Sequence, residues 1–208
     1  MRVNEYKEIR QAGIKLAHVI LKSDDSKKNM LYAAELLGFW NGKAMEFEDE
    51  DESDVLMNFL LYEKNKKGNK LIDQFYDSEV ELDDLEEEIL EGMVNSHASL
   101  FEVKRFEFPL IILIDLLNKD KEYVLIDLGF SQTGEVGGIL YSRLIPIRDI
   151  YMTSGVTFAF EPLYKEQVLN DISFAKFKSN RKLNSTDLYL LTYKKSKHYG
   201  KKVIRRNV

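Results

Sequence analysis

The chain has 208 residues, of which 44% are hydrophobic and 12% aromatic, and its formal net charge is −5, so it permits one large domain or two small ones with a packed core. Because there is no cysteine, disulfides, thiol nucleophiles and cysteine-ligated zinc or iron–sulfur clusters are excluded. The sequence has no signal-peptide pattern and no apolar run of membrane-spanning length, and we therefore expect a cytoplasmic protein that does not enter the membrane.

The first 96 residues predict an acidic helical region. Apolar residues recur at helical spacing in segments that we place at about 4–22, 29–40, 54–62 and 79–94. Ser23 is a helix-start signal before the second segment, and Ser78 with Glu81 has the spacing of a capping box before the fourth. We expect Trp40 to be a core anchor at the end of the second helix.

The densest acidic run lies between the second and third predicted helices. Asp49, Asp51 and Ser53 match the first three ligand positions of an EF-hand loop. The required glycine is replaced by Asp54, however, and the closing glutamate by Leu60, so the match fails. We interpret the run as a solvated loop that leads into a helix, and we expect no tight metal site and no cofactor.

The stretch over residues 99–160 is the only long one whose pattern indicates continuous β-sheet. Five apolar runs are joined by short polar or glycine-containing turns, which suit hairpins and are too short for parallel crossovers. The bend at Phe108-Pro109 separates the first two strands. We therefore predict an α+β protein whose central segment, 97–161, is a five-stranded antiparallel meander curled into a small SH3-like barrel.

Several motifs in this segment carry a resemblance to known sequences. In chain order they are Ser99-Leu-Phe-Glu-Val103, Asp115-Leu-Leu117, Tyr123-Val124, Ser142-Arg-Leu-Ile-Pro146 and Met152-Thr-Ser-Gly155. Their order resembles a barrel-like segment, here residues 99–155, of uncharacterised bacterial proteins, some of which carry a C-terminal SEC-C zinc motif. The zinc motif needs cysteine, which this chain lacks, so the resemblance implies a scaffold and no activity.

Helices are expected again after the sheet, in a C-terminal region over residues 162–208. Pro162 suits the first turn of a helix that includes Phe174, and we expect this helix to pack back onto the sheet or onto the helical half. Ser185 or Thr186 can cap a last helix.

The negative net charge conceals a basic C-terminal end. From residue 176 onward there are eleven lysine and arginine residues against one acid, a net charge of +10, whereas the rest of the chain carries −15. This asymmetry predicts an anionic partner, which is either nucleic acid or an acidic protein surface, or an acidic patch of the protein itself. Tyrosines between lysines suit base stacking with phosphate contact. The candidate binding residues are Lys194, Lys195, Lys197, Lys201, Lys202, Arg205, Arg206, Tyr193 and Tyr199.

No catalytic motif is recognisable in the sequence. The GxSxG, Walker A, HExxH and dinucleotide-binding patterns are absent, and three histidines are scattered over three predicted elements. One arrangement stays open, an acid–base site in which Glu102, Asp115 or Asp127 acts with His97. We nevertheless expect a protein that is not an enzyme.

The basic end leads to three hypotheses of function. The first is a non-enzymatic binding module that engages nucleic acid or an acidic protein. The second is a structural or oligomerisation protein whose basic segment docks on the acidic helix over residues 79–91, of the same chain or of a partner subunit. The third is an enzyme with a site at the barrel edge. A free basic face would support the first, a segment packed on the acidic helix the second, and a closed polar pocket the third.

Overall fold

A computed structural model describes residues 1–78, 80–118 and 121–201 of the chain. Over these residues the chain forms two compact units, Met1–Asn95 and a second that begins at Ser96. The boundary lies one residue from the predicted end of the helical region. The α+β class is confirmed, because helices precede and follow a sheet whose strands are almost all antiparallel.

The first unit is helical. Its helices are α1 (Val3–Leu21), α2 (Asp24–Leu37), α3 (Asp51–Tyr62), α4 (Leu71–Tyr76) and α5 (Asp84–Val94). The longest, α1, buries Ile9, Leu16 and Ile20, whose spacing of seven and four residues keeps them on one face. Packing of such apolar stripes against one another builds the core of this unit, as the sequence pattern indicated.

The two ends of α2 differ from the prediction. Ser23 caps the helix as expected, because its hydroxyl accepts a hydrogen bond of 3.3 Å from the amide three residues further on. The helix therefore begins at Asp24, five residues earlier than predicted. It ends at Gly38, whose φ of 84° is left-handed. Trp40 lies beyond this end and is only partly buried, so its predicted role as a core anchor is wrong.

The acidic helix α5 begins with a capping box that lies five residues after the predicted one. The Asp83 carboxylate accepts a hydrogen bond of 2.8 Å from the Glu86 amide, and the Glu86 carboxylate accepts one of 3.2 Å from the Asp83 amide. The predicted start of the helix at Glu79 lies outside the described residues.

The second unit is built on a sheet. Its strands are β1 (His97–Glu107), β2 (Leu110–Asp115), β3 (Glu122–Ile126), β4 (Ile139–Ile147), β5 (Ile150–Phe160) and β6 (Gly200–Lys201). Their order in the sheet is β3-β2-β1-β4-β5-β6. The bend at Phe108-Pro109 joins β1 to β2 as predicted, and a short helix, α6 (Phe130–Thr133), lies between β3 and β4. Of the predicted β2–β3 turn, Lys119 and Asp120 lie outside the described residues.

The predicted meander is wrong in the position of β4. Residues 97–102 of β1 pair with β4, while residues 101–107 pair with β2 across a bulge between Val103 and Arg105. Because β1 is shared in this way, β4 lies beside β1 instead of beside β3. The edge strands β3 and β5 meet in one parallel pairing, Leu125 with Tyr151. This pairing is the one parallel contact among the described strands.

One face of the curled sheet carries the core of the second unit. Side chains two residues apart point to the same face of a strand, which is how pairs from β1, β2 and β3 enter the core. The core is a cluster of buried side chains, against which Tyr151 of β5 and Phe130 of α6 pack. Its buried members are Phe101, Val103, Ile111, Leu113, Tyr123, Leu125, Leu140 and Leu144.

The C-terminal helices belong to the same unit as the sheet. After a 3₁₀ turn (Pro162–Tyr164), the chain forms α7 (Lys165–Ser179) and α8 (Ser185–Tyr199). The Phe158 ring of β5 lies 5.2 Å from the Tyr189 ring and 5.6 Å from the Tyr193 ring of α8. Both tyrosines are buried. Of the predicted third region, α8 therefore packs on the sheet through β5.

A substitution of Leu113 tests whether the residues assigned to the core of the sheet are buried there. It is fully buried, so we expect Leu113→Ala to lower the free energy of unfolding of the second unit by about 2–5 kcal/mol. The matched control is Leu163→Ala, because Leu163 is 69% exposed and its loss should cost less than about 0.5 kcal/mol. Urea unfolding followed by far-ultraviolet circular dichroism measures both changes. Equal losses in the two variants would contradict the placement.

Candidate functional site

The structure describes six of the nine predicted binding residues. Three cations of the prediction lie outside the described residues: Lys202, Arg205 and Arg206. The other six are on α8 or in β6: Tyr193, Lys194, Lys195, Lys197, Tyr199 and Lys201. Some of these six residues have partners within the protein, and others face solvent.

Lys195 and Tyr199 both contact the Asp171 carboxylate of α7. The Lys195 Nζ lies 2.8 Å from Asp171 Oδ2, and the Tyr199 hydroxyl donates a hydrogen bond to the same oxygen. Burial alone would raise the pKa of Asp171, but its bonds with Lys195, Tyr199 and Gln167 lower it below the ordinary value. Burial and the neighbouring carboxylate raise the pKa of Tyr199, so its hydroxyl stays protonated. This cluster joins α7 to α8.

Lys201 is held in a second ion pair. Its Nζ lies 2.9 Å from Oε1 of Glu135, which precedes β4 in the chain. Residues 200 and 201 also add β6 to the end of β5. Glu135 and Asp171 both belong to the second unit, so these two lysines contact acids of their own unit. The docking hypothesis had placed them on α5.

Tyr193 also differs from its predicted role. It is 5% exposed because it packs on Phe158, and it therefore offers no ring face to an external base. The Lys197 Nζ lies 5.7 Å from the centroid of the Tyr193 ring, within range of a cation–π interaction. Lys194 and Lys182 are exposed, and neither has an ion-pair partner in the part of the chain that the structure describes.

Apolar side chains occupy two opposite faces of α7. Val168 and Ile172 are buried, whereas Phe174 and Phe177 are 66% and 83% exposed. Phe177 follows Val168 by nine residues, which is two and a half helical turns and places it on the opposite side. Phe174 belongs to the predicted helix, but it lies on the side away from the buried residues. In the sequence, the second face appears as the apolar pair Phe174 and Phe177. These residues are three positions apart and lie half a helical turn away from the buried pair, Val168 and Ile172.

Lysines flank these exposed phenylalanines. Lys178 is four residues from Phe174 and is its neighbour on the helix surface, while Lys176 lies on the other flank, about 100° around the helix from Phe177. Both lysines are exposed, and neither has an ion-pair partner among the described residues. We call Phe174, Lys176, Phe177 and Lys178 the α7 outer face.

His97 and Asp115, two members of the predicted acid–base site, come together in the structure. The His97 Nε2 lies 3.8 Å from Asp115 Oδ2, which permits an ion pair when the imidazole is protonated but is too long for a hydrogen bond. The imidazole ring packs 4.9 Å from the Tyr123 ring.

Asp115 is fully buried and its oxygens are occupied. Its Oδ1 accepts hydrogen bonds from the Ser99 hydroxyl at 2.6 Å and from the Leu117 and Asn118 amides at 2.9 and 3.1 Å. Its Oδ2 accepts one of 2.7 Å from the Asn118 side chain. Burial alone would raise the pKa of Asp115, but His97 and these hydrogen bonds hold it at about 2. A buried carboxylate with these partners fixes the turn after β2 and cannot reach a substrate.

The other two carboxylates of the acid–base hypothesis have different partners. Glu102 accepts a hydrogen bond of 2.8 Å from Lys165 at the start of α7. Asp127 accepts one of 2.9 Å from the Phe130 amide, where it caps α6, and one of 3.2 Å from the Thr153 hydroxyl. The three carboxylates thus serve separate local structures, and they give the enzyme hypothesis no shared site.

Over the described ranges, no three His, Asp or Glu side chains are grouped so that they could hold a metal ion. No helix in those ranges combines the length and the apolar character needed to cross a bilayer.

Comparison with known proteins places the chain in a family. A family of unknown function, DUF7986, matches residues 1–206, which span both units. The chain belongs to this family. No curated protein and no solved structure matches it. Membership of DUF7986 assigns no activity, and the resemblance of residues 99–155 to proteins with SEC-C motifs stays a prediction.

The ionised Asp115 should make the stability of the second unit depend on pH. Its pKa of about 2 in the folded protein lies below the ordinary value of 3.8, so the stabilisation is present above the ordinary value and is lost as pH falls through 2. We expect Asp115→Asn to lower the free energy of unfolding at neutral pH by about 2 kcal/mol. The measurement is urea unfolding at several pH values, from neutral down to about 2, the pKa of Asp115 in the folded protein.

The control for this prediction is Asp149→Asn, which changes an exposed carboxylate. Its stability should follow that of the wild type at every pH. The difference between Asp115→Asn and the wild type should shrink as the solution is acidified. A difference that stays constant would contradict an ionised Asp115.

Proposed function

We propose that this protein is a non-enzymatic binding module whose second unit engages nucleic acid. One observation carries the proposal: four exposed lysines on or between α7 and α8 have no ion-pair partner in the described part of the chain. Unneutralised cations on neighbouring helices create a positive surface, and the phosphates of a nucleic acid are the repeating anions that such a surface attracts. The four are Lys176, Lys178, Lys182 and Lys194.

The distribution of charge between the two units supports the same assignment. Residues 1–95 contain 12 basic and 23 acidic residues, a net charge of −11, whereas residues 96–208 contain 18 basic and 12 acidic residues, a net charge of +6. The first unit repels a polyanion and the second attracts it. We therefore assign nucleic-acid binding to the second unit alone.

The strand order supports the proposal more weakly. We propose that the sheet closes into a small barrel, in which β1 is shared by β2 and β4 and in which β3 lies beside β5. This order is similar to that of OB-folds, five-stranded Greek-key barrels that often bind oligonucleotides. Topology alone does not assign function. In this chain the sheet cations Lys104 and Arg105 are already paired with Glu122 and Glu107, so the helices carry the proposal.

A structural role is the second candidate, and it applies to a different part of the basic segment. Lys195 and Lys201 support it, because each is bound to an acid of the second unit. Lys194 and Lys195 are adjacent in the chain and differ in whether they are paired. They therefore allow the two roles to be tested separately.

Neutralising the unpaired lysines tests the proposed function. We expect Lys176→Gln, Lys178→Gln and Lys194→Gln each to lower the affinity for a labelled single-stranded oligonucleotide. Each should also reduce the slope of log affinity against log salt by about 0.7, because one phosphate contact with the single strand is lost. Fluorescence anisotropy with the full chain at several salt concentrations measures affinity and slope. Truncation after residue 180 is unsuitable, because it removes α8 and its packing on β5.

The control is the double variant Lys195→Gln/Asp171→Asn, which removes an ion pair and leaves the net charge unchanged. It should lower the melting temperature while the salt slope stays that of the wild type. If the wild-type chain bound no oligonucleotide at low salt, or if its binding were insensitive to salt, the proposed function would be refuted.

A further inference from the structure

We infer that the nucleic acid is single-stranded and that its bases stack on Phe174 and Phe177 of the α7 outer face. This inference rests on the proposed function and adds the class of nucleic acid and the residues that recognise it. Three properties of the α7 outer face support it: exposure, spacing and charge.

Exposure is the first property. Phe177 is 83% exposed and Phe174 is 66% exposed, although α7 has another apolar face on which to pack, at Val168 and Ile172. A helix needs one apolar face to join a core, so a second one has no role in the packing of α7. Large aromatic side chains grouped in water mark an interaction surface.

Spacing is the second property. Phe174 and Phe177 are three residues apart on one helix, so their Cβ atoms are about 5–6 Å apart on the same side. Two aromatic rings at this separation offer adjacent stacking platforms to bases of one strand. Each base has a flat apolar face, and stacking is therefore tolerant of sequence.

Charge is the third property. Lys176 and Lys178 lie on the two flanks of the phenylalanine pair and have no ion-pair partner within the described residues. Cations beside aromatic platforms match a strand whose bases stack while its phosphates lie to the side. In a duplex the base faces are stacked on one another, so only the lysines would contribute to its binding.

The same lysines argue against a second copy of the chain as the occupant. Pairing two α7 outer faces would bring four lysines together around the phenylalanines. Repulsion between like charges opposes that contact, whereas it favours an anionic partner with apolar faces.

The experiment compares a single-stranded oligonucleotide with its own duplex, using the full chain and anisotropy. Phe174→Ala/Phe177→Ala should weaken single-strand binding at least about thirtyfold, because two stacked bases contribute about 1–3 kcal/mol each and about 1.4 kcal/mol is a factor of ten. The salt slope should not change, because no charge is removed. The matched control is Phe108→Ala, since Phe108 is equally exposed, at 66%, on the β1–β2 turn. It should change affinity less than about twofold.

Each outcome bears on the inference. Wild-type preference for the single strand, lost in the double phenylalanine variant at an unchanged melting temperature, supports it. Equal affinity for strand and duplex, with the phenylalanine variant like the wild type and the lysine variants weakened, overturns the inference and leaves the proposed function standing. Absence of any binding overturns both. A dimer that dissociates in the phenylalanine variant assigns the face to a second copy and overturns the inference.

Discussion

The second unit depends on the length of β1. Its eleven residues are enough to serve two neighbours, β4 along the first half and β2 along the second. The two sets of pairings overlap only at Phe101 and Glu102, so loss of either half of β1 would remove most of its hydrogen bonds to one neighbour. The bulge at the centre of β1 bends the strand between its two partners. The contact between β3 and β5, the burial of the aromatic and aliphatic core, and the surface on which α8 packs all depend on this shared strand.

Ion pairing divides the basic segment into two classes of residue. A lysine paired with a carboxylate of its own unit, as Lys195 is with Asp171 and Lys201 with Glu135, contributes to the attachment of α8 or β6, and part of its charge is neutralised before an anion approaches. A lysine without such a partner keeps its full charge for the solvent side. The net charge of the basic segment is therefore larger than the positive charge that a ligand encounters, because part of that charge is neutralised within the unit. Lys195 and Lys194 show the distinction between adjacent residues.

Local structure could be predicted from the sequence and long-range contacts could not. Helices with one apolar stripe and strands separated by turns leave periodic patterns, so α1 and the five main strands lie close to where those patterns placed them. The position of β4 in the sheet depends on how β1 divides its length between two partner strands. The alternation of apolar residues within a single strand does not contain that information. For the same reason the pairing of Lys201 with Glu135, 66 residues away, was not foreseen. The α7 outer face was not predicted, because apolar residues on two opposite faces give a sequence pattern like that of a helix buried on all sides.

The strand order also constrains the sequence of events during synthesis. The chain emerges from the ribosome N-terminus first, so β1, β2 and β3 are available to pair as successive hairpins before β4 exists. Residues 97–102, whose partner is β4, then form an open edge next to hydrophobic side chains that have no cover. Such an edge is a template for pairing with another chain. The interval between the emergence of β3 and the emergence of Ile139–Ile147 is thus a stage at which the nascent protein is exposed to aggregation, and the speed of elongation through the glycine-rich link contributes to its duration.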